Sequence, residues 1–147
     1  MFLPEPNEPA EILLVEDDAA LARALRIVLR RAGYQVALAT HGQAAMDFLA
    51  KQHVTLVVSD IFMPDGDGIE LLNFLRRLTP HPPVIAMSGG GEIGVGNMLG
   101  VAGALGAARV LAKPFSPGQL LSLVLELIGP PLVRPGSPAG LAGPAVP

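Results

Sequence analysis

The chain has 147 residues, of which 50% are apolar and 16% are charged, so it can bury a core as one domain and is not a disordered chain. It contains no cysteine, which excludes disulfides and thiolate metal sites. The net charge of -3 argues against binding nucleic acid by electrostatic attraction. The longest uncharged segment is too short and too rich in glycine to cross a membrane, and the first residues do not form a signal peptide. We therefore expect a soluble, cytoplasmic protein that contacts neither nucleic acid nor membrane.

Short apolar segments alternate along the chain with segments whose apolar residues repeat at helical spacing. Strands are predicted over residues 12–15, 35–39, 54–59, 84–87 and 109–112. A helix is predicted after each strand, within residues 18–33, 40–49, 67–78, 92–106 and 119–128. This alternation predicts an α/β fold with right-handed crossovers and a parallel sheet that helices cover on both faces.

Several residues predict where the helices begin and end. Asp18 can cap the first helix, and Gly33 can end it in a left-handed conformation. Thr40 with Gln43, and Ser116 with Gln119, have the spacing of capping boxes. The segment 92–106 is predicted as a loose helix, because each of its glycines costs about 0.8–1 kcal/mol relative to alanine.

Composition also predicts the domain boundaries. Residues 11–129 contain all the predicted strands and helices, so they should form one domain. Residues 1–10 are an amino-terminal extension, and residues 130–147 are so rich in Pro, Gly and Ala that we expect a flexible tail.

Polar residues with distinct chemistry stand where the predicted strands end. The first strand is followed by Glu16 and Asp17, the third by Asp60, the fourth by Ser88 and the fifth by Lys113. Parallel strands bring these ends to one edge of the sheet. Carboxylates that are brought together at one edge repel each other unless a cation lies between them. A site whose ligands are all oxygen atoms suits Mg²⁺. An aspartate can also act as a nucleophile that forms an aspartyl phosphate.

These strand ends lie within four motifs that occur in a fixed order. They are Leu-Leu-Val-Glu-Asp-Asp at residues 13–18, Ser-Asp-Ile-Phe-Met-Pro-Asp-Gly-Asp-Gly at 59–68, Ala-Met-Ser-Gly at 86–89 and Lys-Pro-Phe at 113–115. Over residues 11–129 the chain resembles a response-regulator receiver domain of bacterial two-component signalling, similar to the chemotaxis regulators. The resemblance implies a flavodoxin-like three-layer sandwich with a five-stranded parallel sheet in the order 2-1-3-4-5.

The resemblance also assigns a phosphoryl-acceptor role. Asp60 would take a phosphoryl group from a phosphohistidine on a sensor histidine kinase or a phosphotransfer protein. Ser88 and Lys113 would bind the phosphoryl oxygens, and the Lys113–Pro114 peptide bond would be cis.

A metal site accompanies this role in the family. Mg²⁺, with Mn²⁺ as the alternative ion, would be held by Asp17 and Asp60, by Glu16 through water, and by the backbone carbonyl of Phe62. The resemblance thus implies a signalling domain that catalyses only its own phosphorylation and dephosphorylation, rather than an enzyme with a separate substrate.

Two departures from the family bear on the output of the signal. Val110 stands where many members carry the aromatic residue whose rotation transmits the signal. The segment after Ser88 is also unusually rich in glycine, and together with residues 105–107 and 110–115 it is similar to small stand-alone receivers. We therefore expect no output domain, and an output through a protein contact or through onward transfer of the phosphoryl group. We expect a downstream protein target, and dimerisation of the chain remains an open alternative.

Three other functions are compatible with parts of the pattern. A phosphatase with an aspartyl nucleophile would need a second acid two residues after Asp60, where Phe62 stands. A flavin-binding module would fit the sheet but would leave the acidic residues unexplained. A degenerate receiver could serve only as an interaction module.

Overall fold

The computed structural model describes residues 10–61, 63, 67–89 and 106–132. Its strands are β1 (Ile12–Val15), β2 (Val36–Ala39), β3 (Leu56–Asp60), β4 (Val84–Gly89) and β5 (Arg109–Lys113). Its helices are α1 (Ala19–Arg31), α2 (Gly42–Leu49), α3 (Asp67–Arg76) and α4 (Pro117–Ile128). The loose helix predicted within 92–106 and the tail after residue 132 lie outside the described residues.

All five strands are parallel, and they lie in the order β2-β1-β3-β4-β5. Both the α/β class and the strand order predicted for the sheet are confirmed. The register pairs Val15 with Ser59, Asp60 with Met87, and Ser88 with Ala112. The carboxyl ends of β1, β3, β4 and β5 therefore reach the same edge of the sheet.

The alternation of side chains along β1 shows how the sheet divides the core. Ile12 and Leu14 pack with residues of α1 and α4, whereas Leu13 and Val15 pack with residues of α2 and α3. Because all four of these side chains are fully buried, β1 is apolar throughout, as expected for a strand that helices cover on both sides. Among the described residues, no helix has the length and apolar character to span a membrane.

The residues that cap the helices agree with the sequence predictions in three cases and differ from them in one. Asp18 accepts hydrogen bonds from the backbone N–H groups of Ala20 and Leu21 at the start of α1, and Gly33 after that helix has a φ of 108°. Ser116 and Gln119 form the predicted capping box of α4. The capping box predicted at Thr40 is wrong. The imidazole Nδ1 of His41 caps α2 instead, accepting from the N–H of Ala44.

A buried carboxylate ties three segments together at the amino-terminal edge of the sheet. Glu11 is only 3% exposed, and its two oxygens accept the N–H of Gln35 at 2.9 Å and the N–H of Leu132 at 3.0 Å. Nearby, the hydroxyl of Tyr34 donates to the carbonyl of Gly129 at 2.7 Å. We call these contacts the Glu11 clasp. They hold residues 129–132 against the domain, on the edge away from Asp60.

Candidate functional site

Three carboxylates converge at the carboxyl edge of the sheet. Glu16 and Asp17 follow β1, and Asp60 ends β3, the strand that pairs with β1. Each of the three side chains offers an oxygen, and these oxygens lie within 4.8 Å of one another. Glu16 and Asp60 are buried, whereas Asp17 is exposed. The structure thus brings together the acids that the sequence singled out, with an open side at Asp17.

Lys113 joins this acidic group from the end of β5. Its Nζ donates hydrogen bonds to Glu16 Oε1 at 2.7 Å and to Asp60 Oδ2 at 3.0 Å. Burial acts to lower the pKa of Lys113, but the hydrogen bonds to Glu16 and Asp60 outweigh it and the pKa is raised. The ammonium therefore stays charged and offsets part of the negative charge of the site.

Glu16 is held through both of its oxygens. Besides the bond from Lys113, its Oε2 accepts the backbone N–H of Asp18 at 3.1 Å. Burial raises the pKa of Glu16, and the hydrogen bonds from Lys113 and from the Asp18 backbone oppose this shift without cancelling it. Each carboxylate oxygen of Glu16 therefore already accepts one hydrogen bond from this chain.

Ser88 contributes a buried hydroxyl beside the acidic group. It is 1% exposed, and its Oγ has no hydrogen-bond partner among the residues that the structure describes. The sheet register pairs Met87 with Asp60, so Ser88 stands one residue beyond Asp60 along the neighbouring strand. Most buried hydroxyl groups find a partner, and a ligand oxygen at this edge could supply one.

The segment after Asp60 is anchored at Ile61. Its N–H donates to the carbonyl of Met87 at 3.2 Å, and its side chain is buried. Phe62, the predicted source of a carbonyl ligand, lies outside the described residues. The Lys113–Pro114 peptide bond is cis, as the resemblance implied.

Two further residues, Val110 on β5 and Gly68 on α3, lie on elements that border the site. Val110, at the position of the family's aromatic residue, is half-buried and packs against the core beneath α2 and α3. Gly68, for which the sequence predicts no separate role, lies directly against the backbone of Ile61. A glycine in the first turn of a predicted helix, where propensity disfavours it, was the signal available for this contact.

The fold and this edge define a flavodoxin-like α/β domain with an acidic site of oxygen donors and a lysine. Residues 12–125 match the response regulator receiver domain, and the chain belongs to this family. It is thus a receiver domain of the two-component response regulators, and the position of Asp60 fits the phosphoacceptor role of that family. The matches favour this function over the flavin-binding and phosphatase alternatives.

Two curated relatives illustrate the match in sequence. The chain is 40% identical over 115 residues to the response regulator protein FleR of Pseudomonas aeruginosa, an alignment that covers 78% of this chain and 24% of that protein. It is 35% identical over 117 residues to the transcriptional regulatory protein FixJ of Bradyrhizobium diazoefficiens, with 80% of this chain and 56% of that protein covered. The chain therefore spans only about a quarter of the first relative and just over half of the second.

Solved structures show the same similarity. A response regulator receiver protein from Burkholderia phymatum superposes with a TM-score of 0.70 at 32% identity, covering 82% of this chain and 98% of that one. The chemotaxis response regulator CheY4 of Vibrio cholerae gives a TM-score of 0.72 at 25% identity, with 82% and 99% covered.

Proposed function

We propose that Asp60 accepts a phosphoryl group from the phosphohistidine of a sensor histidine kinase or a phosphotransfer protein, in the cytoplasm and with a divalent cation. The observation that carries this proposal is the position of Asp60, within 4.8 Å of the Glu16 and Asp17 oxygens and 3.0 Å from the ammonium of Lys113. A carboxylate in such surroundings can act as a nucleophile while neighbouring groups bind the incoming phosphoryl oxygens.

The donor set fits Mg²⁺, with Mn²⁺ as the alternative. Asp17 and Asp60 would hold the ion directly, Glu16 would act through water, and the Phe62 carbonyl would complete the set from this chain. Carboxylate and carbonyl oxygens are the ligands that this ion prefers, and it commonly joins one or two carboxylates to a phosphate. When bound, the ion supplies positive charge between the carboxylates and the approaching phosphoryl oxygens.

The transfer itself replaces a P–N bond with a P–O bond. An oxygen of the Asp60 carboxylate forms a bond to phosphorus while the bond to the histidine nitrogen breaks. That nitrogen keeps the electron pair, and the donor leaves as neutral histidine because the other nitrogen of its ring carries a proton during the transfer. Lys113 stabilises the negative charge on the phosphoryl oxygens, and the Ser88 hydroxyl donates to one of them. Both groups are already at this edge before the donor arrives.

The phosphorylated domain would then act by contact with a downstream protein target or by pairing with a second copy of the chain. A hydrogen bond to a charged group contributes about 1.5–3 kcal/mol, so new bonds from Ser88 and Lys113 to the phosphoryl group can shift a two-state equilibrium substantially. We assign the domain to signalling, with no catalysis beyond its own phosphorylation and dephosphorylation.

Labelling from radioactive acetyl phosphate or a phosphorylated kinase, with and without Mg²⁺, tests the proposal. We expect label on the wild type only when the cation is present, and none on Asp60→Asn. Asp47→Asn is the matched control, because Asp47 is an exposed acid on α2, and it should be labelled like the wild type. Equal labelling of Asp60→Asn and the wild type would contradict the proposal.

A further inference from the structure

Gly68 in the first turn of α3 lies in direct contact with the main chain of Ile61. A Cβ atom built on Gly68 would lie 2.4 Å from the carbonyl oxygen of Ile61, and 2.6 Å from both its carbonyl carbon and its Cα. Real Cβ atoms essentially never approach other heavy atoms within 3.0 Å. The absence of a side chain at residue 68 is therefore what allows α3 to lie this close to the end of β3.

We propose that Gly68 is a positioning residue for the phosphoryl-acceptor site, because it allows α3 to fix the peptide that follows Asp60. This inference rests on the proposed function. Ile61 stands between Asp60 and Phe62, the two residues proposed to offer the carboxylate and the carbonyl. A displacement of the Ile61 backbone would therefore move the Asp60 carboxylate relative to Glu16 and Lys113.

The contact cannot be relieved by a change of side-chain rotamer. All three of the nearest atoms belong to the main chain of Ile61, so a smaller side chain at residue 61 would create no room. Ile61 is itself anchored, since it is 1% exposed and its N–H bonds to the carbonyl of Met87. An added methyl group must therefore shift the backbone on one side of the contact.

The helix is anchored as firmly as the strand. Leu71, Leu72 and Leu75 of α3 are each at most 2% exposed and pack in the core on that face of the sheet. Separating a 2.4 Å contact to ordinary van der Waals distance requires a shift on the order of 1 Å, and misplacing a reacting group by this amount can reduce a rate about 100-fold.

Gly118 offers a matched control within the same chain. It also stands in the first turn of a helix, α4, but the nearest atom to a Cβ built there is Ser116 Oγ at 3.9 Å. An alanine at this position therefore fits without displacing the backbone. The two glycines share a place in a helix and differ in what a methyl group would meet.

The test compares the wild type with Gly68→Ala and Gly118→Ala. Isothermal titration calorimetry gives the dissociation constant for Mg²⁺, acetyl phosphate gives the phosphorylation rate at saturating Mg²⁺, and urea unfolding gives the folded fraction. For Gly68→Ala we expect the Mg²⁺ dissociation constant to rise about tenfold or more and the rate to fall by a similar factor. Gly118→Ala should match the wild type in both measurements.

Calorimetry on folded protein separates positioning from a loss of stability. If Gly68→Ala is partly unfolded, trimethylamine N-oxide can restore the folded state before the titration. A folded Gly68→Ala that binds Mg²⁺ and reacts like Gly118→Ala would overturn the inference. A wild type that binds Mg²⁺ but accepts no phosphoryl group would overturn the proposed function alone, because the comparison of dissociation constants would still decide the role of Gly68.

Discussion

The ammonium of Lys113 lies 2.7 Å from a carboxylate oxygen of Glu16, although 97 positions separate the two residues in the chain. Glu16 follows β1 and Lys113 ends β5, two strands that are not neighbours in the sheet. Between them lies Asp60, whose carboxylate accepts a second hydrogen bond from the same ammonium. The positive charge of the Lys113 ammonium therefore offsets part of the negative charge of both carboxylates before any ligand binds.

Replacing Lys113 should test that balance directly. Lys113→Gln leaves three converging carboxylates without their ammonium, so we expect the free energy of unfolding in metal-free buffer to fall by about 1.5–3 kcal/mol, the usual value of hydrogen bonds to charged groups. Urea unfolding at neutral pH measures the change. Lys51→Gln, which alters an exposed lysine, should change the free energy by less than about 0.5 kcal/mol. An equal effect of the two substitutions would show that the Lys113 contacts do not contribute to stability.

The raised pKa of Glu16 predicts how stability depends on pH. The folded state binds this proton more tightly than the unfolded state, so the contribution of Glu16 is fully present below the ordinary glutamate pKa of about 4.3 and is lost as the pH rises through the raised value. The free energy of unfolding of the wild type minus that of Glu16→Gln should therefore decrease as the pH rises across this interval. Urea unfolding of both proteins in a chelator measures it, and a difference that increases with pH would show that pairing with Lys113 outweighs burial.

A divalent cation should stabilise the fold through Asp17. A ligand that binds only the folded state adds about 1.4 kcal/mol for each tenfold rise in its concentration above the dissociation constant. We expect Mg²⁺ to raise the midpoint of urea unfolding of the wild type in this way, and to have much less effect on Asp17→Asn. The neighbouring substitution Asp18→Asn is the control, because asparagine caps a helix as well as aspartate. A response of Asp17→Asn equal to that of Asp18→Asn would exclude Asp17 as a ligand.

Ser88 and Ser59 should respond differently to substitution by alanine. Ser88→Ala removes a buried hydroxyl that has no partner among the described residues, so the free energy of unfolding should stay the same or rise by up to about 1 kcal/mol. Ser59→Ala removes a hydrogen bond to the carbonyl of Asp60 and should lower it by about 1 kcal/mol. Phosphorylation from acetyl phosphate should be slower in Ser88→Ala by about tenfold or more. A Ser88→Ala protein that is phosphorylated at the wild-type rate would remove Ser88 from the proposed site.

The Glu11 clasp should stabilise the fold less when Glu11 loses one acceptor oxygen. Glu11→Gln keeps the shape of the side chain but replaces one acceptor oxygen with an amide nitrogen, so one of the two backbone N–H groups, of Gln35 or of Leu132, loses its acceptor. We expect the free energy of unfolding to fall by about 1–3 kcal/mol. Glu70→Gln makes the same change at an exposed position of α3 and should have little effect. Similar unfolding curves for the two variants would show that the clasp adds no stability.

The sequence predicted the sheet better than it predicted local boundaries. Buried parallel strands are continuous apolar runs, so the apolar run Ile12 to Val15 predicts β1. The order of the strands in the sheet follows from the family resemblance. The apolar run predicts that β3 starts at Val54, but the strand starts at Leu56, because an apolar run does not show where pairing between strands begins. The sequence predicts Thr40 as the cap of α2 because imidazole is an uncommon cap, yet in the structure His41 caps this helix.

For the site, strand ends predicted which groups meet but not how they pair. The convergence of Glu16, Asp60 and Lys113 followed from parallel topology. That Lys113 would contact both acids, and that Glu16 would also accept the Asp18 N–H, depends on side-chain rotamers that the sequence does not determine. The approach of Gly68 to Ile61 is a contact between backbones, and a missing side chain leaves little trace in a pattern of apolar residues.

The clasp also fixes the position of residues 129–132 on the domain. Leu132 is bound beside the start of β1, whereas Asp60 lies at the end of β3. The last described residue and the Asp60 site therefore lie at opposite edges of the sheet. Residues 129–132 therefore leave the surface over Asp60 open to a protein that docks there. A fluorescent protein or a surface tether joined directly after Leu132 should therefore leave the Asp60 site accessible.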